Sequence, residues 1–175
     1  MKRLLTILTI ITFIFAVTGC ASDKEDTAKT DTKEKTTEKT SELTDQVKVK
    51  MYNSLRIAEL KVNEVFAKET AADETTPVVN SAFANEEATV SFLGKYYSEE
   101  IAKEMFTYYV TDQKTADGQT IVKAEPYFSE SIIDTEKEDV TTKGDANKAT
   151  ISTKDHTIYT VELQNEQYVI TKIEK

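Results

Sequence analysis

Residues 43–68, LTDQVKVKMYNSLRIAELKVNEVFAK, decide how the folded part of this chain is read. Leu43, Val47, Met51, Leu55, Ala58, Val62 and then Val65 or Phe66 recur every three or four positions. That spacing lines them along one face of an α-helix. Lys48, Lys50, Arg56, Glu59, Lys61 and Glu64 fall off the stripe and suit a solvated face. Thr40 or Ser41 is placed to cap the start, because a side-chain oxygen there accepts from the free N–H groups of the first turn.

Working outward towards the C-terminus, Thr76-Pro77 has the form of a helix start, a capping residue followed by proline in the first turn. A second helical segment is expected through Val78, Val79, Ala82, Phe83 and Ala84, ending near Asn85; the state of Ala88–Leu93 is left open, and Gly94 is a separate break. Ser98-Glu99-Glu100 opens a third helix: the serine caps, and the glutamates suit the positive end of the helix dipole. Its apolar stripe is Ile101, Met105, Phe106, Tyr108 and Tyr109, as far as Val110.

After Asp117-Gly118 the period changes. Thr120–Ala124, Tyr127–Ile133, Ala149–Thr153, Thr157–Leu163 and Tyr168–Ile173 are rich in β-branched and aromatic residues and read as strands. Residues 134–139 read as an acidic loop, 144–147 as a turn, and 164–167 as the turn of a final hairpin. The expectation is an α+β domain over residues 43–175, with two to three N-terminal helices packed on a curved antiparallel sheet of about four to five strands.

Working back to the N-terminus, Met1-Lys2-Arg3 is basic, and Leu4–Val17 is apolar apart from three threonines. This layout is that of a secretory signal, and the stretch is short for a transmembrane helix of about 20 apolar residues. Val17-Thr18-Gly19-Cys20 resembles the bacterial lipobox. The resemblance implies cleavage between Gly19 and Cys20, diacylglycerol and a further acyl chain such as palmitate on Cys20, and anchorage on the outer face of the cell membrane. Two or more acyl chains suffice for stable anchoring. Cys20 is the only cysteine, and a lone thiol in an exported protein is a liability unless something consumes it.

Residues 21–42 contain only Ala, Ser, Thr, Lys, Asp and Glu. Such a segment lacks the apolar surface to offset its ordering entropy and is expected to be a disordered tether, with a reach of roughly 25 Å. Thr/Lys/Glu-rich tethers of this kind resemble those of Gram-positive lipoproteins.

The element order resembles the nuclear transport factor 2-like superfamily, in which a curved sheet wraps a long N-terminal helix. The best local likeness is the ending Tyr159–Lys175, a short polar turn followed by an aromatic and alternating apolar residues. Exported members usually carry tryptophan where this chain has Tyr168, and a turn glycine that this chain lacks. Ser98-Glu99-Glu100-Ile101 after Tyr96-Tyr97 also resembles exported proteins of spore-forming bacteria.

Chemistry-bearing patterns are sparse. His156 is the only histidine and stands beside Asp155. As a pair they could suit a general base oriented by an acid, but with no second histidine, metal triad or nucleophile nearby in sequence they read as a turn-edge surface pair. No His/Cys metal-ligand spacing occurs, and no cofactor is expected. Residues 112–117 lack the alternating ligands of a calcium loop and read as a turn. Asp134, Glu136, Glu138 and Asp139 read as a solvated acidic loop. The four glycines are isolated, so no phosphate-cradling loop exists.

From Leu43 onward 15 Lys/Arg stand against 24 Asp/Glu, a net of −9. Nucleic acid is excluded on that balance, since phosphate contacts carry its affinity. Anionic headgroups should also repel the body of the domain.

Tyr96-Tyr97, Tyr108-Tyr109 and Tyr127-Phe128 are adjacent aromatics, which cannot all face one core. One of each pair lines a pocket or patch, or sits as an amphipathic ring at the core's rim. Tyr97, Tyr109 and Tyr127, with His156, are the candidates. The functions left open are a non-enzymatic envelope module with a protein partner, a small-ligand binder with a cone-shaped pocket, and an enzyme on the same fold. A filled interior favours the first; an open pocket with converging polar groups favours the second.

Hydrogen exchange tests the tether. Amides from Ala21 to Ser41 should exchange without protection, and slow exchange across that stretch would show it to be folded.

Overall fold

The computed structural model describes residues 42–175. Gly19 and Cys20, the signal segment and nearly all of the proposed tether lie outside the described residues. Among the described residues no helix is long and apolar enough to cross a membrane.

The first helix, α1, spans Asp45–Phe66. Its cap is Thr44, not Thr40 or Ser41: the Thr44 hydroxyl accepts from the Val47 N–H at 3.3 Å. Met51, Leu55, Ala58, Val62, Val65 and Phe66 are buried as the spacing predicts, with Leu43 and Val47 half-buried against them. The other end is closed by Asn80. Its N–H donates to the Val65 carbonyl at 2.9 Å and its side-chain amide to the Glu64 carbonyl at 3.1 Å. Two of the carbonyls that a helix end leaves free are thereby satisfied.

Thr76-Pro77 does not start a helix. The Asp73 carboxylate accepts from the Thr75 and Thr76 N–H groups at 3.0 and 2.8 Å and from the Thr76 hydroxyl, which closes a tight turn. These hydrogen bonds hold the Asp73 carboxyl down at about 2. The chain returns antiparallel, with β1 (Glu69–Thr70) pairing β2 (Pro77–Val78). Proline is tolerated there as the first residue of a short strand.

The second helix, α2, is Glu86–Leu93, capped by Asn85 and ended at Gly94. The third, α3, is Glu99–Tyr109, capped by Ser98 as expected. It runs straight into β3 (Val110–Lys114), so residues 112–114 are strand. The turn is confined to residues 115–119, closed by hydrogen bonds between Thr115 and both Gly118 and Gln119. β4 (Thr120–Val122) returns, and the first sheet has the order β1-β2-β4-β3.

The second sheet is a meander of β5 (Thr141–Gly144), β6 (Lys148–Ser152), β7 (Ile158–Gln164) and β8 (Gln167–Glu174), antiparallel throughout. Two four-stranded sheets therefore stand in place of the single sheet of about four to five strands that the sequence suggests; the α+β class holds. Gly144 adopts φ +134°, where a Cβ would run into the Lys148 carbonyl oxygen. The final hairpin turns through Asn165 and Glu166 at φ 48° and 67°. Two successive positive φ values fit a two-residue turn whose twist matches the strands. Opposite Thr160 and Val161, Thr171 is an extra residue that bends β8. The outer edge of β8 is met by the segment before α3, where Ser98 N–H donates to the Ile170 carbonyl and Ile170 N–H to the Tyr96 carbonyl.

Residues 123–140 depart most from expectation. No strand forms over Tyr127–Ile133; apart from one short 3₁₀ turn at Lys137–Asp139 the segment is irregular. Tyr127, Phe128, Ile132 and Thr135 are nevertheless buried in it. Irregular backbone beside buried side chains needs hydrogen-bond partners from elsewhere in the chain.

Leu55 is 1% exposed at the middle of α1. Leu55→Ala should cost about 2–5 kcal/mol, from lost transfer energy plus a residual cavity. Asn53→Ala, exposed on the same helix, should stay within about 0.5 kcal/mol. Urea midpoints of both variants check this, and equal midpoints would show that α1 does not carry the core.

Candidate functional site

The apolar spacing of α1 places Glu59 on the solvated face, yet it is 6% exposed. Its carboxylate accepts from the Ile132 N–H at 2.8 Å, while the Ile133 N–H donates to the Ser131 hydroxyl at 3.2 Å. On the same helix, the Arg56 guanidinium donates to the Ile133 carbonyl at 3.2 Å, and the Tyr52 hydroxyl donates to the Thr135 carbonyl. Positions 52, 56 and 59 follow one another at helical spacing. Together they form a polar ladder, and the ladder holds residues 132–135.

The rest of the irregular segment is fastened in the same way. The Tyr109 hydroxyl accepts from the Tyr127 N–H at 2.8 Å. The Tyr127 hydroxyl donates to Glu104 at 2.7 Å, and the Lys175 ammonium donates to the Tyr127 carbonyl while lying 3.5 Å from its ring centroid. The Asp155 carboxylate accepts from the Ser129 hydroxyl at 2.6 Å and the Thr157 hydroxyl at 2.8 Å, and from Thr153 as well. Partial burial acts to raise the Asp155 pKa, but these donors outweigh it and hold the carboxyl well below its ordinary range.

Three of the four sequence candidates meet here. Tyr109 stacks on Phe66 with centroids 4.4 Å apart, and Tyr127 meets Phe128 edge-on at 5.2 Å. Tyr97 is 1% exposed, and its hydroxyl has no hydrogen-bond partner. Burial, reinforced by the nearby Glu59 carboxylate, pushes its pKa well up. His156 stands apart from these tyrosines, exposed at φ 70° in the turn between β6 and β7. Its neighbour Asp155 spends its oxygens on the turn and on Ser129, not on the imidazole. Among the described residues no group of three or more His, Cys, Asp or Glu side chains is arranged to hold a metal ion.

The interior is filled. Met51, Leu55, Val62, Leu93, Met105, Ile151 and Val161 are each at most 1% exposed and belong to one contiguous core. The concave surfaces are outside. Ile57, Leu60 and Leu163 are the exposed large hydrophobic residues of the described chain, at 46, 51 and 41%. They adjoin one another. Ile57 and Leu60 line a groove of about 620 Å³ along α1, with Lys61, Ala67 and Lys68. Ile57 and Leu163 line a second groove, of about 540 Å³, between α1 and the β7–β8 hairpin, with Lys50 and Tyr168. This face escapes the sequence reading, although Ile57 and Leu60 fall off the 47–51–55–58–62 stripe and are its visible signal.

Comparison with protein-family models, with curated proteins and with solved structures returned no match. The residues and their geometry are therefore the whole basis for a functional reading.

Glu59 gives a test with a defined sign. Burial raises its folded pKa above the ordinary 4.5. Between that value and the raised one the folded state binds more protons than the unfolded chain, so stability falls as pH rises. The contribution is fully present below the unfolded pKa and is lost through the folded pKa. Glu59→Gln should remove this slope while retaining an acceptor for Ile132. Urea midpoints measured at a series of pH values check it, and an unchanged slope in the variant would contradict the assignment. Glu59→Ala should in addition cost about 1–3 kcal/mol by stranding the Ile132 N–H.

Proposed function

We propose that this protein is a lipid-anchored envelope lipoprotein whose domain acts without catalysis, as an interaction module for a protein partner. The observation that carries this reading is the filled interior combined with apolar grooves on the exterior. A small-molecule site is normally a concave, largely preformed pocket that covers most of its ligand. The space between the helices and the second sheet is instead taken by side chains at most a few per cent exposed. Tyr109 and Tyr127, the tyrosines best suited to lining a pocket, are committed to holding residues 123–140.

The address belongs to the same proposal and rests on Val17–Cys20 and the basic start. Lipid on Cys20 would hold the domain at the outer face of the membrane. The 24 residues between Cys20 and the first turn of α1 would let it reach a neighbour there. A transport-factor-like ancestry is supported by element order, one long helix ahead of a meander that ends in a hairpin. The filled interior sets this domain apart from ligand-binding uses of such a fold.

Cys20→Ser should stop processing and release the protein from the membrane fraction. Mass spectrometry of the wild-type mature N-terminus should find acylated Cys20. A free thiol at position 20, or cleavage elsewhere, would overturn the anchored reading. Affinity purification of the intact lipoprotein from detergent-solubilised membranes should return a reproducible protein partner, and repeated recovery of the lipoprotein alone would count against the interaction module.

A further inference from the structure

The outer face of α1 has the wrong residues for a plain solvated surface. Ile57 and Leu60 are exposed aliphatics three positions apart, and Leu163 extends the patch onto the β7–β8 hairpin. Lys50, Lys61 and Lys68 flank it. The acidic residues at its rim are Glu64, which pairs with Lys61 at 2.7 Å, and Glu166 at the hairpin turn. Lys50 and Lys68 join no ion pair among the described residues. On a domain with a net charge of −9 from Leu43 onward, a lysine-flanked apolar face is a local reversal.

We propose that this face docks an acidic amphipathic helix of a protein partner, its apolar anchors in the two grooves beside Ile57 and its carboxylates against Lys50 and Lys68. The inference rests on the interaction-module reading and names the surface and the partner's chemistry. Helix-in-groove recognition uses apolar side chains spaced along one face of the incoming helix. Grooves of about 620 and 540 Å³ on either side of one residue offer two successive sockets for such side chains. Lysines at the rim steer an acidic partner and reject a basic one.

Two other occupants fit less well. A second copy would bring Lys50, Lys61 and Lys68 of each chain against their equivalents. A flat anionic bilayer would not fill the grooves, and the acidic body of the domain would be driven away from it.

The test uses the full-length lipoprotein in its own membrane. A photoreactive p-benzoylphenylalanine replaces Leu60, and in separate samples Val90 on α2 as a comparison site. Irradiation should give one discrete protein adduct from position 60. Mass spectrometry of the cross-linked peptide should find a segment with apolar residues at helical spacing and an excess of Asp and Glu. Lys50→Glu with Lys68→Glu should cut the adduct by about fivefold or more, as loss and reversal of two rim charges would. Leu163→Glu, on the hairpin and far away in sequence, should cut it too, with circular dichroism confirming that each variant folds. A cross-link to phospholipid, to a second copy or to a basic segment, or no adduct from position 60, overturns the proposal. If protein adducts arise from position 90 alone, the interaction module stands and this surface does not. If neither position gives one, both fall.

Discussion

The Glu59 carboxylate meeting the Ile132 N–H at 2.8 Å is the contact on which the rest of the domain depends. A charged group on the buried face of a helix is costly unless hydrogen bonds satisfy it. Here the cost has a counterpart. Residues 123–140 lie mostly at the surface without regular structure but turn Tyr127, Phe128, Ile132 and Thr135 inward. The backbone groups beside those residues need partners as much as Glu59 needs donors. Each solves the other's problem. Arg56 and Tyr52 repeat the arrangement one and two turns earlier on α1, taking the carbonyls of Ile133 and Thr135. These hydrogen bonds tie the irregular segment to α1, and Phe128 and Ile132 enter the core from it.

That arrangement limits what the interior can do. Tyr97, Tyr109 and Tyr159 place polar atoms near Glu59, a composition that resembles a binding pocket when seen as sequence. In the fold, Tyr109 accepts from a backbone N–H and Tyr127 donates to Glu104. These groups are spent on architecture. The Tyr97 hydroxyl and the Arg56 Nε are left without partners, each an unmade hydrogen bond worth about 1–3 kcal/mol. Tyr97 is 1% exposed and lines neither of the two grooves beside Ile57.

How much was legible followed from where the hydrogen bonds close. α1, α3 and the last three strands satisfy their own backbones locally or with a sequence neighbour, so period and capping residues revealed them. Ser98 and the 101–105–109 stripe are examples. Thr76-Pro77 misled because Asp73, three residues upstream, captured the Thr76 N–H for a turn. Residues 127–133 misled because their β-branched and aromatic content is real, yet their backbone partners sit on α1 and α3, up to 77 residues away in the chain. No local pattern carries that information. Glu59 failed for the same reason: an acid one position off the apolar stripe reads as solvated unless its distant partner is known. Of the site, the tyrosines were found as residues but not as fasteners, and Ile57 and Leu60 left a signal that helical periodicity alone treats as noise.

The two sides of α1 therefore invert the usual division of labour. Its inner face buries Glu59 and the hydroxyl of Tyr52, while its outer face leaves Ile57 and Leu60 in solvent. Neither feature stabilises an isolated domain as well as the reverse assignment would: single exposed aliphatics are common, but three adjoining ones among lysines on an acidic body are not explained by folding. The inner polar residues are accounted for by the segment they hold. The outer apolar residues have no such account within the chain. A face that folding does not require is where the proposed partner would dock, on the exterior of α1 and the β7–β8 hairpin.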